Sequence, residues 1–345
     1  MVIPVYYNEE CQKHGNSIAP LLLPLSAVSF FQENYMQSVL TCILANYLPP
    51  ERRSRTVKFI EEFIDSPNYE FKVSDEANEE DILRFHTKRI HDIVKNPTIL
   101  GLLSGFFGTE INEQTYPAAL ASAGIAIDAA TAAVSERKHE LYFGLCRPPG
   151  HHAGRNSITG FCYFNNMNIA VLKLLEKKTI ENALIIDFDA HCGNGIHDLA
   201  DTDNRITYID IPLVGKCSKR DKPYLKHIES VLEDHINEHY DVVGICAGFD
   251  GHEGHKMIKI DEDKISSGRY ARAFFHLLNR NGLLNNVFTL GQNILNDEHY
   301  ANIGKMLSEF SSQVSPNKPF AILEGGYHPG LYKTIDVFCQ AFEKK

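Results

Sequence analysis

The stretch ALIIDFDAHCGNG, residues 183–195, starts as an apolar run and ends in polar residues that are capable of chemistry. The first four residues are apolar, and Asp187, Asp189 and His191 follow them. A short, nearly continuous apolar run is typical of a strand that is buried on both faces of a parallel sheet. The stretch therefore predicts a buried strand with functional groups at its carboxyl end.

The same pattern recurs through the second part of the chain. Strands are predicted at residues 141–146, 183–189, 206–211, 242–250, 286–290 and 319–326, and helices at residues 116–138, 164–178, 223–240, 264–282 and 301–314. Strands that alternate with helices indicate an α/β protein with a parallel sheet covered on both faces. The polar residues 74–81 predict a surface loop, with Asp75 or Asn78 as the N-cap of the next helix. With no repeat or linker in the sequence, we expect one domain over residues 1–345.

Four of the predicted strands end in polar motifs. These motifs are RPPGHH at residues 147–152, DFDAHCGNG at 187–195, FDGHEGH at 249–255 and EGGYHPG at 324–330. Functional groups in open parallel sheets gather at the carboxyl ends of the strands. We therefore expect the four motifs to lie together.

Two of these motifs supply a predicted metal site. Asp189 and His191 are two residues apart, so they point to the same side of an extended segment, and Asp250 ends another strand. Two carboxylates and one imidazole, with a position left open for water, form the ligand pattern of a catalytic zinc site. Each residue alone could be an ordinary loop residue or a helix cap, but the three together favour the metal site.

The adjacent His151 and His152 follow a Pro-Pro-Gly turn. A neutral histidine can take a proton from an attacking water and return it to a leaving amine. The pair therefore predicts one base and one electrostatic partner, with Asp187 and Asn194 as candidates to orient the rings. The alternative is two histidines in a surface turn.

Asp187 and Tyr327 each leave alternatives open at this point. Asp187 lies inside an apolar run and needs a partner, which could be a histidine, a monovalent cation held by backbone carbonyls, or Arg147. Tyr327 follows Gly325 and Gly326 in a turn, and its phenol could donate to the oxyanion that forms when water attacks a carbonyl. It could equally pack on the turn.

Taken together, these segments resemble the zinc-dependent histone deacetylase family of the arginase/deacetylase superfamily. The motifs R-P-P-G-H-H-A, G-F-C-Y-F-N-N, D-F-D-A-H-x-G-N-G, A-G-F-D and E-G-G-Y occur in the family's order, within residues 85–332. The resemblance implies a three-layer α/β/α fold around a central, mostly parallel, eight-stranded sheet. It also implies Zn²⁺ as the cofactor, and K⁺ as a second ion.

The resemblance implies a role for each matching residue. The zinc ligands are Asp189, His191 and Asp250. His152 is the general base and acid, and His151 is its electrostatic neighbour.

Further roles implied by the resemblance concern the surroundings of this centre. Asp187 and Asn194 orient the two histidines, and Tyr327 stabilises the oxyanion. Gly160 and Phe161 form the wall of a tunnel for an acyl-lysine stem. The potassium site would use Asp187, Asp189, His191 and Asp210.

The sequence also departs from the family pattern. Cys192 replaces a second histidine, His255 replaces an aspartate, and Asp210 replaces a serine of the potassium site. The usual Tyr/Phe-Pro-Gly-Thr-Gly loop is missing after residues 206–211, and so is the N-terminal H-P-E-x-P-x-R sequence. Met257 stands where polyamine-specific relatives carry a glutamate gatekeeper, which favours a lysine-like substrate. We therefore expect the reaction to carry over from the family more securely than the substrate.

The expected function is zinc-dependent hydrolysis of N-acetyl-lysine in a peptide or protein. The alternatives are deacetylation of an acetylpolyamine or another small N-acyl amine, and a non-catalytic zinc-binding scaffold. A two-metal ureohydrolase is disfavoured because Gly193 and His252 stand where it would need aspartates.

The composition bounds the partners and the compartment. The net charge of −10 argues against a nucleic-acid partner, although it would attract a cationic peptide or a polyamine. No signal peptide and no run of about 18 apolar residues is present, so we expect no membrane span. The eight cysteines show no C-x-x-C spacing, which argues against a disulfide framework. A reducing, cytoplasmic location is therefore expected, with a nuclear role left open. The oligomeric state is not indicated.

Overall fold

The structure is a computed structural model that describes residues 2–14, 51–96, 111, 113–213, 223–254 and 295–343. This part of the chain contains seven strands and ten helices. The strands are β1 Ile3–Tyr7, β2 Tyr69–Val73, β3 Tyr142–Gly144, β4 Ala183–Asp187, β5 Ile206–Asp210, β6 Val242–Ala247 and β7 Phe320–Leu323. The helices are α1 Glu10–Lys13, α2 Glu51–Phe63, α3 Glu79–Leu83, α4 Lys88–Lys95, α5 Thr115–Ser135, α6 Asn166–Glu176, α7 Asn194–Ala200, α8 Tyr224–Asp234, α9 Asp297–Val314 and α10 Leu331–Glu343.

The seven strands form one sheet in the order β2-β1-β3-β7-β6-β4-β5, and every neighbouring pair is parallel. The predicted α/β class with a parallel sheet is confirmed. The resemblance implied eight strands, whereas the described residues contain seven. The strand predicted at residues 286–290 and the helix predicted at 264–282 lie outside the described residues.

Helices cover both faces of the sheet. Along β4 the side chains alternate, so Ile185 packs into one apolar cluster while Leu184 and Ile186 pack into another. The first cluster includes residues of α3 to α7, and the second includes residues of α2, α8, α9 and α10. The predicted three-layer arrangement is confirmed.

Helix α5 is the most deeply buried of the long helices. By length and composition it could span a membrane, but 83% of its apolar window is buried inside the fold. Its small side chains allow close packing: a Cβ on Gly124 would lie 1.9 Å from the carbonyl oxygen of Asp75. The helix is therefore accounted for as a core element of the α/β fold.

Several predicted boundaries change in the structure. Strands β1 and β2 were not predicted, and β3 is shorter than the predicted residues 141–146. Helix α9 begins at Asp297 rather than at residue 301, because Asn296 forms a capping box with His299. Asn78 caps α3 through another capping box, as one of the two predicted candidates.

Candidate active site

The four polar motifs lie side by side at one edge of the sheet. The strands that precede them, β3, β7, β6 and β4, are consecutive in the sheet and all parallel. Their carboxyl ends therefore lie at the same edge, and the structure brings together the motifs that the sequence analysis singled out. This edge carries the candidate active site.

The three predicted metal ligands converge on one point. The Nδ1 atom of His191 lies 2.8 Å from Oδ2 of Asp250 and 3.3 Å from Oδ1 of Asp189. The second oxygen of each carboxylate accepts a backbone N–H, from Gly325 to Asp189 and from Ala190 to Asp250. One donor atom from each of the three ligands lies within 4.8 Å of the other two. The carboxylates are thus held with one oxygen each directed at the imidazole.

The electrostatics of this triad suit a divalent cation. Asp189 and Asp250 are both buried, and buried carboxylates require a compensating positive charge. Burial lowers the pKa of His191, but the neighbouring Asp250 and Asp189 outweigh it and raise that pKa to about 10. The two carboxylates therefore favour a positive charge at this point, which a metal ion could supply. Two carboxylates and one imidazole are ligands that zinc accepts.

Two glycines leave the space that this centre needs. A Cβ on Gly248 would lie 2.1 Å from Oδ2 of Asp189. A Cβ on Gly325 would lie 2.4 Å from the same atom and 2.8 Å from Oδ2 of Asp250. Any larger side chain at either position would displace the ligands.

The histidine pair lies beside the ligand triad, and its two rings have different partners. The ring centroids of His151 and His152 are 4.0 Å apart, and that of His152 is 6.1 Å from His191. The Nδ1 atom of His151 is 3.0 Å from Oδ2 of Asp187, whereas Nδ1 of His152 is 2.6 Å from the amide oxygen of Asn194. One ring thus faces a carboxylate, and the other faces a neutral acceptor.

These partners give the two histidines different charge states. Burial lowers the pKa of His151, but the charges of Asp187 and Asp189 outweigh it and raise that pKa well above its ordinary value. Burial and the charges of His151 and His191 lower the pKa of His152 to about 3. The surroundings of His151 therefore favour its cationic form, and those of His152 favour its neutral form. Because Asn194 accepts at Nδ1, the lone pair of His152 lies on Nε2.

The turn that carries the histidines is fixed by buried amides from other elements. The Pro148 carbonyl accepts from Ser122 of α5 and from Asn166 at the start of α6. The Asn165 side chain donates to the carbonyl of Ala153 at 3.0 Å. The double asparagine of the G-F-C-Y-F-N-N motif is therefore used to hold the R-P-P-G-H-H turn.

Asp187 serves more than one partner. Besides His151, its carboxylate accepts from the Tyr208 hydroxyl at 3.1 Å and from the backbone N–H of Asp189 at 3.0 Å. Arg147, which the sequence left open as the partner of Asp187, donates instead to the backbone carbonyls of Cys11 and His14. Of the three alternatives, the structure therefore shows the histidine.

Asp210 lies next to this network. It pairs in register with Asp187 across β4 and β5, and its Oδ2 atom is 3.3 Å from Nε2 of His197. Burial raises the pKa of Asp210. Asp187, Asp189 and Asp210 were all predicted to bind potassium, and they lie at or just after the carboxyl ends of the adjacent strands β4 and β5. The potassium site itself stays a prediction.

Gly160 and Phe161, the residues predicted to form a tunnel wall, lie beside His152 and Tyr327. Both have a positive φ, of 58° and 65°, and a Cβ on Gly160 would lie 2.2 Å from the His152 ring. The Phe161 ring meets the Tyr327 ring edge-on, with centroids 6.2 Å apart. The predicted wall and the predicted oxyanion donor are therefore in contact. Met257, His255 and residues 214–222 lie outside the described residues.

The sequence analysis missed three features of this site. The carboxylate of Glu324 accepts the backbone N–H groups of Gly150 and His151, at 2.7 and 3.1 Å. His328 stacks on His252, with centroids 4.0 Å apart, behind the Tyr327 turn. Cys192, next to a predicted ligand, is disulfide-bonded, a pairing that the cysteine spacing did not predict. A signal existed only for Glu324, because a carboxylate that directly follows a fully apolar strand needs buried donors.

The comparisons with known proteins agree with this fold. The histone deacetylase domain family matches residues 47–216. An uncharacterised protein of Synechocystis, slr0245, is 30% identical over 256 residues, which is 74% of this chain and 78% of that protein. A probable deacetylase of Archaeoglobus fulgidus is 32% identical over 238 residues, 59% of this chain and 64% of that protein.

Two further similarities bear on substrate and fold. The acetylpolyamine amidohydrolase of Mycoplana ramosa is 44% identical over 91 residues, 26% of this chain and 26% of that enzyme. The crystal structure of the HDA15 HD domain superposes with a TM-score of 0.66 at 20% identity, over 100% of this chain and 88% of that one. That likeness shows the fold alone.

The parallel sheet, the cluster of motifs at its carboxyl edge and these similarities define an α/β protein of the arginase/deacetylase fold. The chain belongs to the histone deacetylase family.

Proposed function

We propose that this protein is a zinc-dependent deacetylase that hydrolyses the amide of N-acetyl-lysine in a peptide or protein. The observation that carries the proposal is the pair of adjacent histidines, one facing a carboxylate and the other a neutral amide, set beside a converging Asp-His-Asp triad. Metal binding alone does not require a neutral histidine with a fixed tautomer beside the three ligands, whereas proton transfer does.

Each residue of the pair has a separate task in this proposal. His152 takes a proton from the attacking water at Nε2 and later returns it to the leaving amine, because its low pKa leaves that nitrogen unprotonated. His151 stays cationic beside Asp187 and stabilises the negative charge that develops during attack. The Asn194 amide fixes the ring of His152 for both transfers.

The three predicted metal ligands and Tyr327 would face the acyl group of the substrate. Asp189, His191 and Asp250 would hold zinc, which supplies Lewis acidity toward the amide carbonyl and the attacking water. Tyr327 lies beside Phe161 at the predicted tunnel wall, and its hydroxyl would donate to the oxygen that becomes negative. Gly160 lets the backbone pack directly against the His152 ring, because a Cβ there would lie 2.2 Å from it.

A second candidate substrate is an acetylpolyamine. It is supported by the similarity to the acetylpolyamine amidohydrolase of M. ramosa and by the net charge of −10, which attracts a cationic substrate. Both candidates present the same chemical group, an acetylated primary amine on an alkyl stem. They differ in the charge that the stem carries beyond the tunnel.

The proposal is tested by measuring acetate release from an acetyl-lysine peptide and from an N-acetylated polyamine, with the zinc-loaded and the metal-free protein. Zinc-dependent turnover with a higher kcat/KM for the peptide supports the first candidate. A higher kcat/KM for the polyamine replaces it with the second. Stoichiometric zinc without turnover of either compound contradicts both and leaves the scaffold.

A further inference from the structure

Glu324 lies at the centre of the strand ends and is fully buried. It is the first residue after β7, which lies between β3 and β6 in the sheet. Its backbone N–H donates to the Ala247 carbonyl at the end of β6. Its side chain crosses to the end of β3, where one oxygen, Oε2, accepts the N–H groups of both Gly150 and His151.

The turn that begins with Glu324 touches each of the other three motifs. Glu324 reaches the histidine turn, and the Gly325 N–H donates to Asp189 at 2.8 Å. The Gly325 carbonyl accepts from Phe249, directly before Asp250. Two residues later the same turn carries Tyr327. Residues 324–327 therefore contact the histidine turn and the segments that carry the metal ligands, and they include the predicted oxyanion donor.

We infer that Glu324 is a positioning residue, whose carboxylate sets the distance between the His151–His152 turn and the Tyr327 turn. The inference rests on the proposed deacetylase function and adds a residue to it. Glu324 is not a catalytic residue, because it contacts the backbone of the histidine turn and acts through the rings that the turn carries.

The geometry favours a hydrogen-bond acceptor of this length. Two buried N–H groups converge on one oxygen, and each would be costly to leave without an acceptor. The histidine turn has no room to relax toward another one, since a Cβ on Gly150 would already lie 2.5 Å from the backbone nitrogen of Asn166. A glutamine keeps an acceptor at the same reach. An aspartate keeps the charge but withdraws the oxygens by one methylene, and an alanine removes the acceptor.

The test compares Glu324→Gln, Glu324→Asp and Glu324→Ala with the wild-type protein, each loaded with zinc. The readouts are kcat, KM, bound zinc per chain and thermal midpoint. We expect kcat to fall about 10- to 100-fold in the alanine and aspartate variants, the range for residues that orient a metal site's groups. KM and zinc content should stay near wild type, and the glutamine variant should recover most of kcat. Val134→Ala, buried on α5 away from the strand ends, controls for a simple loss of stability.

Each outcome decides the inference. Wild-type kcat in the alanine variant overturns it, and so does a loss of kcat in the glutamine variant with retention in the aspartate variant, because charge rather than reach would then matter. If the alanine variant does not fold, the contrast between glutamine and aspartate decides. Inactive wild-type protein with stoichiometric zinc would overturn the proposed function together with this inference, whereas an active wild type separates the two.

Discussion

At the scale of single residues, two adjacent histidines have different pKa shifts because their surroundings differ. His151 and His152 are adjacent in the chain; His151 is buried, whereas His152 is partly exposed. Burial lowers the pKa of His151, but the carboxylates of Asp187 and Asp189 outweigh it and raise that pKa. Burial and the charges of His151 and His191 lower the pKa of His152, although its hydrogen bond to Asn194 acts in the opposite direction. The roles of base and electrostatic partner are thus set by the groups that surround each ring.

Replacement of Tyr327 by phenylalanine removes one hydroxyl and leaves the ring that packs on Phe161. We expect kcat to fall about 10²- to 10³-fold, the usual effect of losing one oxyanion donor. Zinc content should not change, because the hydroxyl is not among the metal ligands. Steady-state kinetics on the acetyl-lysine peptide checks this, and an unchanged kcat would remove Tyr327 from the mechanism.

Gly325→Ala should weaken metal binding. Its Cβ would lie 2.4 Å from Oδ2 of Asp189, so the carboxylates must separate to admit it. We expect zinc affinity to fall about 10- to 100-fold in a competition titration with a chelator. Gly330→Ala is the matched control, because its Cβ would meet only ordinary contacts at 3.6 Å from His328. Equal affinity in both variants would mean that the ligands are not where the structure places them.

The sequence identifies chemically active residues better than it identifies their supports. Asp189, His191 and Asp250 stand at ends of apolar strands, where period and position single them out. Tyr208 and Glu324 act through partners that are remote in the chain, at Asp187 and at the Gly150 turn. Only the folded sheet shows which strand ends are neighbours, so these two contacts could not be predicted.

At the scale of elements, strands β3 to β7 were predictable, whereas β1 and β2 at one side of the sheet were not. Strands β4 and β6 are buried on both faces and read as continuous apolar runs. Strand β2 is an edge strand with a mixed burial pattern, and its sequence YEFKV carries two charges. Its neighbour β1 precedes the first helix, so it is not part of the strand–helix alternation from which the other strands were predicted. The missed strands thus lack the signal that the others carry.

Helix α9 offers a test of the capping argument. The Asn296 side chain accepts from the His299 N–H at 3.1 Å, and the His299 ring accepts from the Asn296 N–H at the same distance. Asn296→Ala removes the first of these bonds, so the free energy of unfolding should fall by about 1 kcal/mol. Denaturant unfolding measures this. Glu309→Ala, exposed in the middle of the same helix, should change stability by much less, and an equal loss in the two variants would contradict the capping role.

At the scale of the whole molecule, two apolar clusters hold the sheet between helices, and the chemistry is confined to one edge. This separation explains why the class of fold could be predicted from periodicity alone. It also places buried titratable groups outside the site, where they affect stability rather than catalysis. The single domain over residues 1–345 and the cytoplasmic location stay predictions.

His86 is such a group and predicts part of the acid sensitivity of the fold. Burial lowers its pKa to about 3, and its Nε2 atom accepts the Asn165 N–H at 2.8 Å. In the unfolded chain His86 therefore binds a proton below about pH 6.5, whereas in the folded chain it stays neutral down to about pH 3. The stability contributed by neutral His86 is full above pH 6.5 and falls as the pH drops toward 3, by up to about 1.4 kcal/mol per pH unit.

The variant His86→Gln keeps an acceptor for Asn165 without a titrating ring. Between pH 6 and pH 4 it should lose stability less steeply than the wild type in denaturant unfolding, because other titrations occur in both proteins and cancel. If the free energy of unfolding changed with pH equally steeply in both proteins, His86 would have to be solvated in the folded state.

The proton-transfer role of the histidine pair is tested by acetate release from an acetyl-lysine peptide by wild type and His152→Ala at equal zinc content. We expect turnover by the wild type and a loss of about 10²- to 10⁴-fold or more in the variant, because the proton acceptor is gone while the three ligands remain. A variant that keeps the wild-type rate would contradict the assignment of the histidine pair. A zinc-loaded wild type that releases no acetate would contradict the proposed reaction itself.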